Sequence, residues 1–152
     1  MHIVLVEPEI PGNTGNIARL CAATGCELHL VKPLGFSIED KYLKRAGLDY
    51  WNLVKVHVHE TFNEIVALYQ DHNFYFNTTK ADKHHSDIVY QPEDLLVFGK
   101  ETAGLPQELL HSYPDNCVRI PMVDDARSLN LSNAVAIVVY EAFRQQNFAG
   151  LR

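Results

Sequence analysis

Short apolar runs alternate along the chain with stretches whose apolar residues recur at helical spacing. The apolar runs predict six strands, at His2–Val6, Leu28–Val31, Val54–Val58, Phe74–Asn77, Leu95–Gly99 and Cys117–Ile120. The helical spacing predicts five helices, at Gly15–Thr24, Glu39–Ala46, Phe62–Tyr69, Pro106–His111 and Leu131–Gln145. Strands alternating with helices indicate an α/β fold, with a mostly parallel sheet and helices on both faces.

The bulk properties place the chain among ordinary globular proteins. Its 152 residues, with 47% hydrophobic content and no repeat or linker, predict a single domain over residues 1–152. No apolar run approaches the roughly 20 residues that span a bilayer. The amino terminus lacks the basic segment of a signal peptide, so we expect a cytoplasmic protein with no membrane partner. The three cysteines are expected to be buried free thiols.

Charge and histidine content bear on partners and metals. A net charge of −6 argues mildly against a nucleic-acid partner. Lys41, Lys44 and Arg45 nevertheless form a small basic segment, which is explained equally well as a solvated helix face. His57 and His59 alternate along a predicted strand without cysteine or acidic residues at ligand spacing, so the sequence predicts no metal site.

Three polar loops follow predicted strands and bear glycine or clustered polar residues. They cover residues 7–16, 99–106 and 121–128. In parallel sheets, ligands bind beyond the carboxyl ends of the strands. The loops therefore predict one shared site.

The start of the last helix carries more polar side chains than a cap requires. Ser128, Asn130, Ser132 and Asn133 crowd this point, whereas one such residue is enough to cap a helix. A helix amino terminus favours polar ligands, so the surplus indicates a binding role. The rest of this helix is apolar on nearly all sides, which fits either a central core helix or a helix that contacts a partner subunit.

The first two loops match no common nucleotide-binding motif. N-T-G-N-I-A-R lacks both the G-x-G-x-x-G and the G-K-[ST] patterns. Arg19 is predicted one turn into the first helix, where a solvent-facing arginine is the plain alternative to a functional one. Glu101 is the sole acidic residue of the second loop, F-G-K-E-T-A-G-L-P.

Together, these two loops and R-I-P-M-V-D-D-A-R-S-L-N-L-S-N-A-V-A-I-V-V-Y-E-A resemble the three successive motifs of the SPOUT RNA methyltransferases. The resemblance covers the whole chain. E-P-E-I-P-G-N-T-G-N, L-G-F and L-K-R-A-G-L-D-Y-W further resemble the small tRNA (cytidine(34)-2′-O)-methyltransferase branch. The resemblance implies a carboxyl-terminal trefoil knot, S-adenosylmethionine (SAM) as cofactor, and a homodimer formed through the last helix. The implied substrate is the tRNA anticodon region, methylated on the ribose of cytidine 34 or a modified uridine 34.

The resemblance also implies roles for individual residues. Cofactor contacts fall on one set of positions: Asn77, Gly99, Gly104, Ile120, Ser128 and Leu129. Arg19 is the implied proton acceptor or phosphate-orienting group, and Asn13 shapes the first loop, with Glu101, Ser128 and Asn130 lining the pocket. Lys41, Lys44 and Arg45 become candidate RNA phosphate contacts. The chain departs from the family at Asn77, where an apolar residue is usual, and at Ala103, where arginine is frequent.

Two other functions compete with this reading. An RNA-binding scaffold without catalysis would have the same fold, but it would not need Arg19, Glu101, Ser128 and Asn130 together. An unrelated nucleotide-binding α/β domain would be expected to carry one of the two glycine-rich motifs that are missing here.

Overall fold

The strands and helices follow one another as the apolar pattern predicts. The computed structural model describes residues 1–39, 41–47 and 50–152, and for Lys44, Ala46 and Gly47 it describes the backbone alone. The strands are β1 (His2–Val6), β2 (Glu27–Val31), β3 (Val56–His59), β4 (Phe74–Asn77), β5 (Leu95–Gly99) and β6 (Cys117–Val118). The helices are α1 (Pro11–Thr24), α2 (Lys41–Gly47), α3 (Phe62–Leu68), α4 (Gln107–Ser112) and α5 (Leu131–Gln145).

All six strands form one sheet in the order β3-β2-β1-β5-β4-β6, and every pairing is parallel. This confirms the predicted α/β architecture. In the register of β1, His2 pairs with Leu95 of β5 on one side and with Glu27 of β2 on the other. The parallel register brings the carboxyl ends of β1, β4 and β5 to one edge of the sheet.

Several predicted boundaries need correction. Helix α1 begins at Pro11 rather than Gly15, because the fixed φ of proline suits the first helical position. The first polar loop is therefore shorter than predicted. Strand β6 ends at Val118 rather than Ile120, and Arg119 continues only as an isolated bridge to His84. The predicted start of α2 falls beside Asp40, which lies outside the described residues.

Helices cover both faces of the sheet. On the first face, α1 and α5 pack against strand residues that include Ile3, Leu5 and Phe98. On the second face, α3 and α4 contribute Ile65 and Leu110 to a separate cluster. Because successive side chains of a strand point to opposite faces, the continuous apolar strands fill both clusters.

Helix α5 buries a broad face in the first cluster. Its buried residues are Leu131, Val135, Val138, Val139, Ala142 and Phe143. Ile137 and Tyr140 remain 40% and 46% exposed on the other side of the helix. The core-helix interpretation is thus confirmed for the broad face, and an exposed apolar pair remains available on the other.

The described part of the chain contains no helix that is long and apolar enough to cross a membrane. Its three cysteines are free thiols, as predicted. Burial is confirmed for Cys21 and Cys26, whereas the predicted burial of Cys117 is wrong, because it is only half-buried.

A row of histidines interrupts the apolar packing on the second face. His2 Nδ1 lies 3.1 Å from His29 Nε2, and His29 Nδ1 lies 3.0 Å from His59 Nε2. All three rings are buried. Burial is the main cause that lowers the pKa of His29 to about 3, and the neighbouring histidines contribute to the same shift. Burial also lowers the pKa values of His2 and His59.

Acid should therefore destabilise the protein well before its carboxylates titrate. The unfolded state takes up protons at these histidines below about pH 6.5, whereas folded His29 resists protonation until about pH 3. The contribution of these histidines to the free energy of unfolding should be at its highest above pH 6.5, and it should fall progressively as the pH is lowered toward 3. Glu27, Glu64 and Glu93 lie beside the cluster and moderate this loss.

Urea denaturation in EDTA buffer at several pH values measures this dependence. His29→Gln removes the most strongly shifted group and should flatten the curve between pH 6.5 and 4. His111→Gln, on the exposed surface of α4, should leave the curve unchanged. A wild-type stability that stays constant across this range would contradict the prediction.

Candidate active site

Four loops at the carboxyl ends of the strands surround a cavity of about 540 Å³. The three predicted loops all contribute to it, which confirms their shared location. The first contributes Ile10 and Asn13, the second runs from Gly99 to Leu105, and the third contributes Ile120 and residues 127–130. The predicted cofactor positions all line the cavity: Asn77, Gly99, Gly104, Ile120, Ser128 and Leu129.

The first two loops are held together by reciprocal hydrogen bonds, because a carboxylate of each loop accepts from the other loop. Glu101 accepts hydrogen bonds from the backbone N–H groups of Glu9 at 2.8 Å and Ile10 at 3.0 Å. In return, the Glu9 carboxylate accepts from the backbone N–H and the hydroxyl of Thr102. Lys100 pairs with Glu7. These contacts fix the spacing between the ends of β1 and β5.

Glu101 also compensates for a missing cap on α1. Ile10 occupies the cap position and has no side chain that can accept a hydrogen bond. The Glu101 carboxylate, 91 residues away in sequence, accepts a hydrogen bond from the free Ile10 N–H. This is the task that a glutamate within the helix performs in a capping box. Glu101 therefore lines the cavity and anchors its wall.

Asn13 connects the first two loops to the third. Its Nδ2 donates to Glu101 Oε1 at 3.3 Å, and its Oδ1 accepts from Asn130 Nδ2 at 3.0 Å. Asn13 is itself buried. The chain Glu101–Asn13–Asn130 thus ties all three predicted loops together through side chains.

The polar residues at the start of α5 have roles that differ from those assigned from the sequence. Asn130 is the cap, because its Oδ1 accepts from the backbone N–H groups of Ser132 at 3.0 Å and Asn133 at 3.4 Å. Ser132 and Asn133 are therefore not caps, since both contribute donors to Asn130. Ser128 is exposed and lines the cavity.

The fourth wall, after β4, was missed by the sequence analysis apart from Asn77. Thr78, Thr79 and Lys80 line the cavity beside it. Asn77 Nδ2 faces two carbonyls, of Val97 at 3.3 Å and Tyr75 at 3.5 Å, so its amide orientation is fixed. Its Oδ1 is buried without a partner among the described residues. The polar run N-T-T-K at the end of a predicted strand was the signal that could have identified this wall.

Backbone geometry in the second loop explains its two glycines. Gly104 has φ +71°, a left-handed conformation that glycine adopts without strain. A side chain at Gly99 would meet Leu105 Cδ2 at 2.7 Å and the Val6 carbonyl oxygen at 3.0 Å. The close packing of Gly99 and Leu105 keeps the loop backbone at the cavity edge.

The predicted catalytic and RNA-binding cations lie away from the cavity lining. Arg19 is in the third turn of α1 rather than one turn into the helix, because the helix begins four residues earlier than predicted. It is exposed, and its guanidinium lies 4.9 Å from the Tyr50 ring centroid. Lys41 and Arg45 are exposed on α2, which packs against α1. The side chain of Lys44 lies outside the described part of the chain. Arg19, Lys41 and Arg45 thus lie exposed on the neighbouring helices α1 and α2, outside the cavity lining.

Other cations stand nearer to the cavity. Arg127 lines the cavity, whereas Arg144 pairs with Glu141. Lys80 and Arg127 form no ion pair with any residue that the structure describes. They provide positive charge at the cavity that the sequence analysis did not assign.

Gly35 should be intolerant of any side chain. A Cβ at this position would lie 2.6 Å from the Glu9 carbonyl oxygen and 2.7 Å from its Cα. Since backbone must move to relieve this overlap, Gly35→Ala should cost about 1–3 kcal/mol of stability. It should also weaken ligand binding, because it displaces the loop that Glu101 holds.

Gly12→Ala is the matched control. A Cβ there meets nothing within 4 Å, and alanine favours a helix over glycine. Its melting temperature should equal or slightly exceed that of the wild type. Equal melting temperatures for Gly35→Ala and wild type would show that the loop accommodates the side chain.

Comparison with known proteins places this geometry in context. The SpoU rRNA Methylase family matches residues 1–140. The tRNA (cytidine(34)-2′-O)-methyltransferase of Methylovorus glucosotrophus is 54% identical over 149 residues, covering 97% of each chain. A structure solved in work on the 2-OH methylation of C/U34 on tRNA has a TM-score of 0.92 at 41% identity, covering 97% of this chain and 96% of its own. The SpoU methyltransferase AviRb of Streptomyces viridochromogenes, solved with AdoMet, has a TM-score of 0.88 at 25% identity and covers 99% of this chain and 61% of its own.

Proposed function

This chain belongs to the SpoU rRNA Methylase family, and from its similarity to tRNA (cytidine(34)-2′-O)-methyltransferases we propose that it methylates the wobble nucleotide of tRNA. It is a SAM-dependent tRNA 2′-O-methyltransferase that acts on the ribose of cytidine 34 or a modified uridine 34. The observation that carries this proposal is the convergence of all three motif loops on one cavity. We place the reaction in the cytoplasm, where tRNA is modified, and assign it to one domain over residues 1–152.

The cavity suits SAM in size and polarity. Its volume of about 540 Å³ falls within the range of roughly 300–1,000 Å³ typical of small-molecule sites. Asn77 Oδ1 is a buried acceptor without a partner among the described residues, and it matches an amino group of the ligand. Gly99, Gly104, Ile120 and Leu129 offer backbone groups and apolar contact, and Ser128 offers a hydroxyl. When bound, SAM would supply an electrophilic methyl group, and its S–CH₃ bond would break to leave S-adenosyl-L-homocysteine as the product.

The residues of this chain then have to position and deprotonate the ribose hydroxyl. Holding the hydroxyl in line with the methyl group supplies much of the rate, and removing its proton supplies more. Glu101, Asn13 and Asn130 keep the cavity wall in place through their shared hydrogen bonds. Their carboxylate and amide groups are largely engaged with one another, so we assign them positioning roles.

Arg19 is the proposed proton acceptor or phosphate-orienting group. It lies six residues after Asn13, which places it about 9 Å further along the helix axis. Free arginine is effectively always protonated. Arg19 therefore acts with the bound RNA. It either orients a phosphate, or gives a guanidinium proton to that phosphate and takes up the proton of the ribose hydroxyl in its place. Its exposed position suits contact with a large substrate.

The anticodon region of tRNA approaches the cavity across the surface formed by α1 and α2. Lys41, Lys44 and Arg45 on α2 contact phosphates, and Lys80 and Arg127 add charge at the cavity itself. Such contacts offset the net charge of −6 locally. Ala103, exposed at the cavity, leaves this area without the arginine that is frequent in the branch.

The functional unit is a homodimer formed through α5, with a trefoil knot in the carboxyl-terminal third. Ile137 and Tyr140 form an exposed apolar pair on α5 that supports such an interface. Asn133 shares the exposed side of that helix. Sedimentation of Tyr140→Glu should show monomers if α5 forms the interface.

Titration calorimetry with SAM tests the cofactor, and turnover separates an enzyme from a scaffold. We expect saturable binding of one SAM per chain and methylation of unmodified tRNA. An absence of binding at millimolar SAM would exclude a SAM-dependent reaction. Binding of tRNA without SAM binding or turnover would favour the RNA-binding scaffold.

A further inference from the structure

A polar strip crosses the second face of the sheet outside the candidate active site. Its members come from three adjacent strands: His2, Glu27, His29, His57 and His59. The register places His2 beside Glu27, and His29 beside His57. The proposed methyl transfer uses none of these side chains. Imidazole nitrogens and a carboxylate oxygen are ligand types that Zn²⁺ accepts in proteins.

Three members of the strip have the spacing of a coordination site. One ligand atom each from His2, Glu27 and His29 lie within 4.8 Å of one another. His2 Nδ1 and His29 Nε2 are already 3.1 Å apart. With zinc–nitrogen bonds of about 2.0–2.1 Å, neighbouring ligands of a tetrahedral ion are about 3.4 Å apart. The two rings therefore need only a small shift to accept an ion.

The protons of the cluster can be arranged without leaving an imidazole charged. For His2 Nδ1 and His29 Nε2 to offer lone pairs, their protons must lie on the opposite ring nitrogens. His2 Nε2 then faces Glu93 Oε2 at 3.4 Å, and His29 Nδ1 donates to His59 Nε2 at 3.0 Å. His59 Nδ1 in turn faces Glu64 Oε2 at 3.7 Å.

This arrangement supplies the outer partners that metal-bound histidines usually have. A ligand histidine commonly donates its second ring N–H to a carboxylate or another acceptor, which fixes the ring and strengthens the bond. His59 takes that position for His29, and for His2 the nearest carboxylate is Glu93, 3.4 Å from Nε2. An entry path is also present, because the Glu27 side chain is 26% exposed and that of His57 is 41% exposed.

We propose that His2, Glu27 and His29 bind a divalent transition-metal ion of the zinc class, with a fourth position open to water or His57. Imidazole nitrogens favour such ions over Mg²⁺, which prefers oxygen ligands. The ion joins β1 to β2 and stabilises the fold. The sequence predicted no metal site because the ligands come from different strands.

Calorimetric titration of tag-free, EDTA-treated protein with ZnCl₂ tests this site. We expect one Zn²⁺ per chain at micromolar concentrations, a higher melting temperature with Zn²⁺, and no such effect with MgCl₂. Equilibrium dialysis with elemental analysis should give the same stoichiometry. An absence of saturable Zn²⁺ binding by the folded wild type would overturn the proposal.

Variants locate the bound ion. Glu27→Gln keeps the side-chain shape and should weaken Zn²⁺ binding by at least roughly tenfold, as should His2→Gln. His111→Gln, an exposed histidine outside the strip, should bind as the wild type does. Circular dichroism shows which variants are folded, and a folded variant at either ligand position is sufficient. Unchanged affinity in folded Glu27→Gln or His2→Gln would overturn the assigned ligand set.

Discussion

Arg19→Ala is expected to abolish methyl transfer while leaving SAM binding intact. Arg19 lies outside the cavity lining, so its loss should not change the affinity measured by calorimetry. Its proposed role concerns the ribose hydroxyl and the RNA phosphate, and a missing proton-transfer group typically costs about 100-fold to 10,000-fold in rate. Single-turnover methylation of tRNA with saturating SAM measures this loss.

Two further variants sharpen that experiment. Arg19→Lys keeps the positive charge but loses the planar guanidinium fork, so it should recover only a small part of the rate. Arg152→Ala removes an exposed arginine at the last residue of the chain and should have wild-type turnover. Unchanged turnover in Arg19→Ala would refute the role given to this residue.

Glu101→Gln should weaken both the fold and SAM binding. The Glu101 carboxylate accepts the N–H groups of Glu9 and Ile10 and a third hydrogen bond from Asn13. Glutamine has one acceptor oxygen and turns an NH₂ group toward one of these donors. A lost hydrogen bond to a charged group costs about 1.5–3 kcal/mol. If about 1.4 kcal/mol of that cost is lost from the free energy of SAM binding, SAM affinity drops about tenfold.

Glu9→Gln is the matched control for this variant. Glu9 bridges the same two loops through Thr102, but it is not a cavity-lining residue. It should lose some stability and keep most of its SAM affinity. Urea denaturation and calorimetry on the two variants separate these effects. Equal SAM affinity for Glu101→Gln and wild type would show that this anchor does not shape the cavity.

Much of the fold could be predicted from the sequence because the strands are continuous apolar runs. The bounds of β1, β4, β5 and α5 were predicted without error. Parallel strands buried on both faces leave little ambiguity in such runs. The start of α1 was missed because its cap comes from Glu101 in a distant loop rather than from a neighbouring residue.

The location of the candidate site was predictable for a similar reason. Loops that follow parallel strands meet at one edge, so their polar residues converge whatever the details of packing. The pairing of side chains within the site was not predictable. Asn130 acts as a cap and as a donor to Asn13, 117 residues away in sequence. Such pairing depends on the three-dimensional register of three loops.

The histidine strip shows the same limit. His57 and His59 have no acidic neighbour at ligand spacing along their own strand, yet Glu27 lies 2.9 Å from His57 Nε2 across the sheet. Spacing along one strand reveals only ligands that belong to that strand. Ligands assembled across adjacent strands require the strand order and register.

The central claim is that the cavity serves methyl transfer to the 2′-hydroxyl of nucleotide 34. Its most direct test is mass spectrometry of nucleoside fragments from unmodified tRNA incubated with the purified protein and SAM. The same tRNA with a 2′-deoxy sugar at nucleotide 34 is the matched substrate. We predict one methyl group on the ribose of nucleotide 34, and none in the deoxy substrate. Methylation of both substrates, or of another nucleotide, would contradict the account.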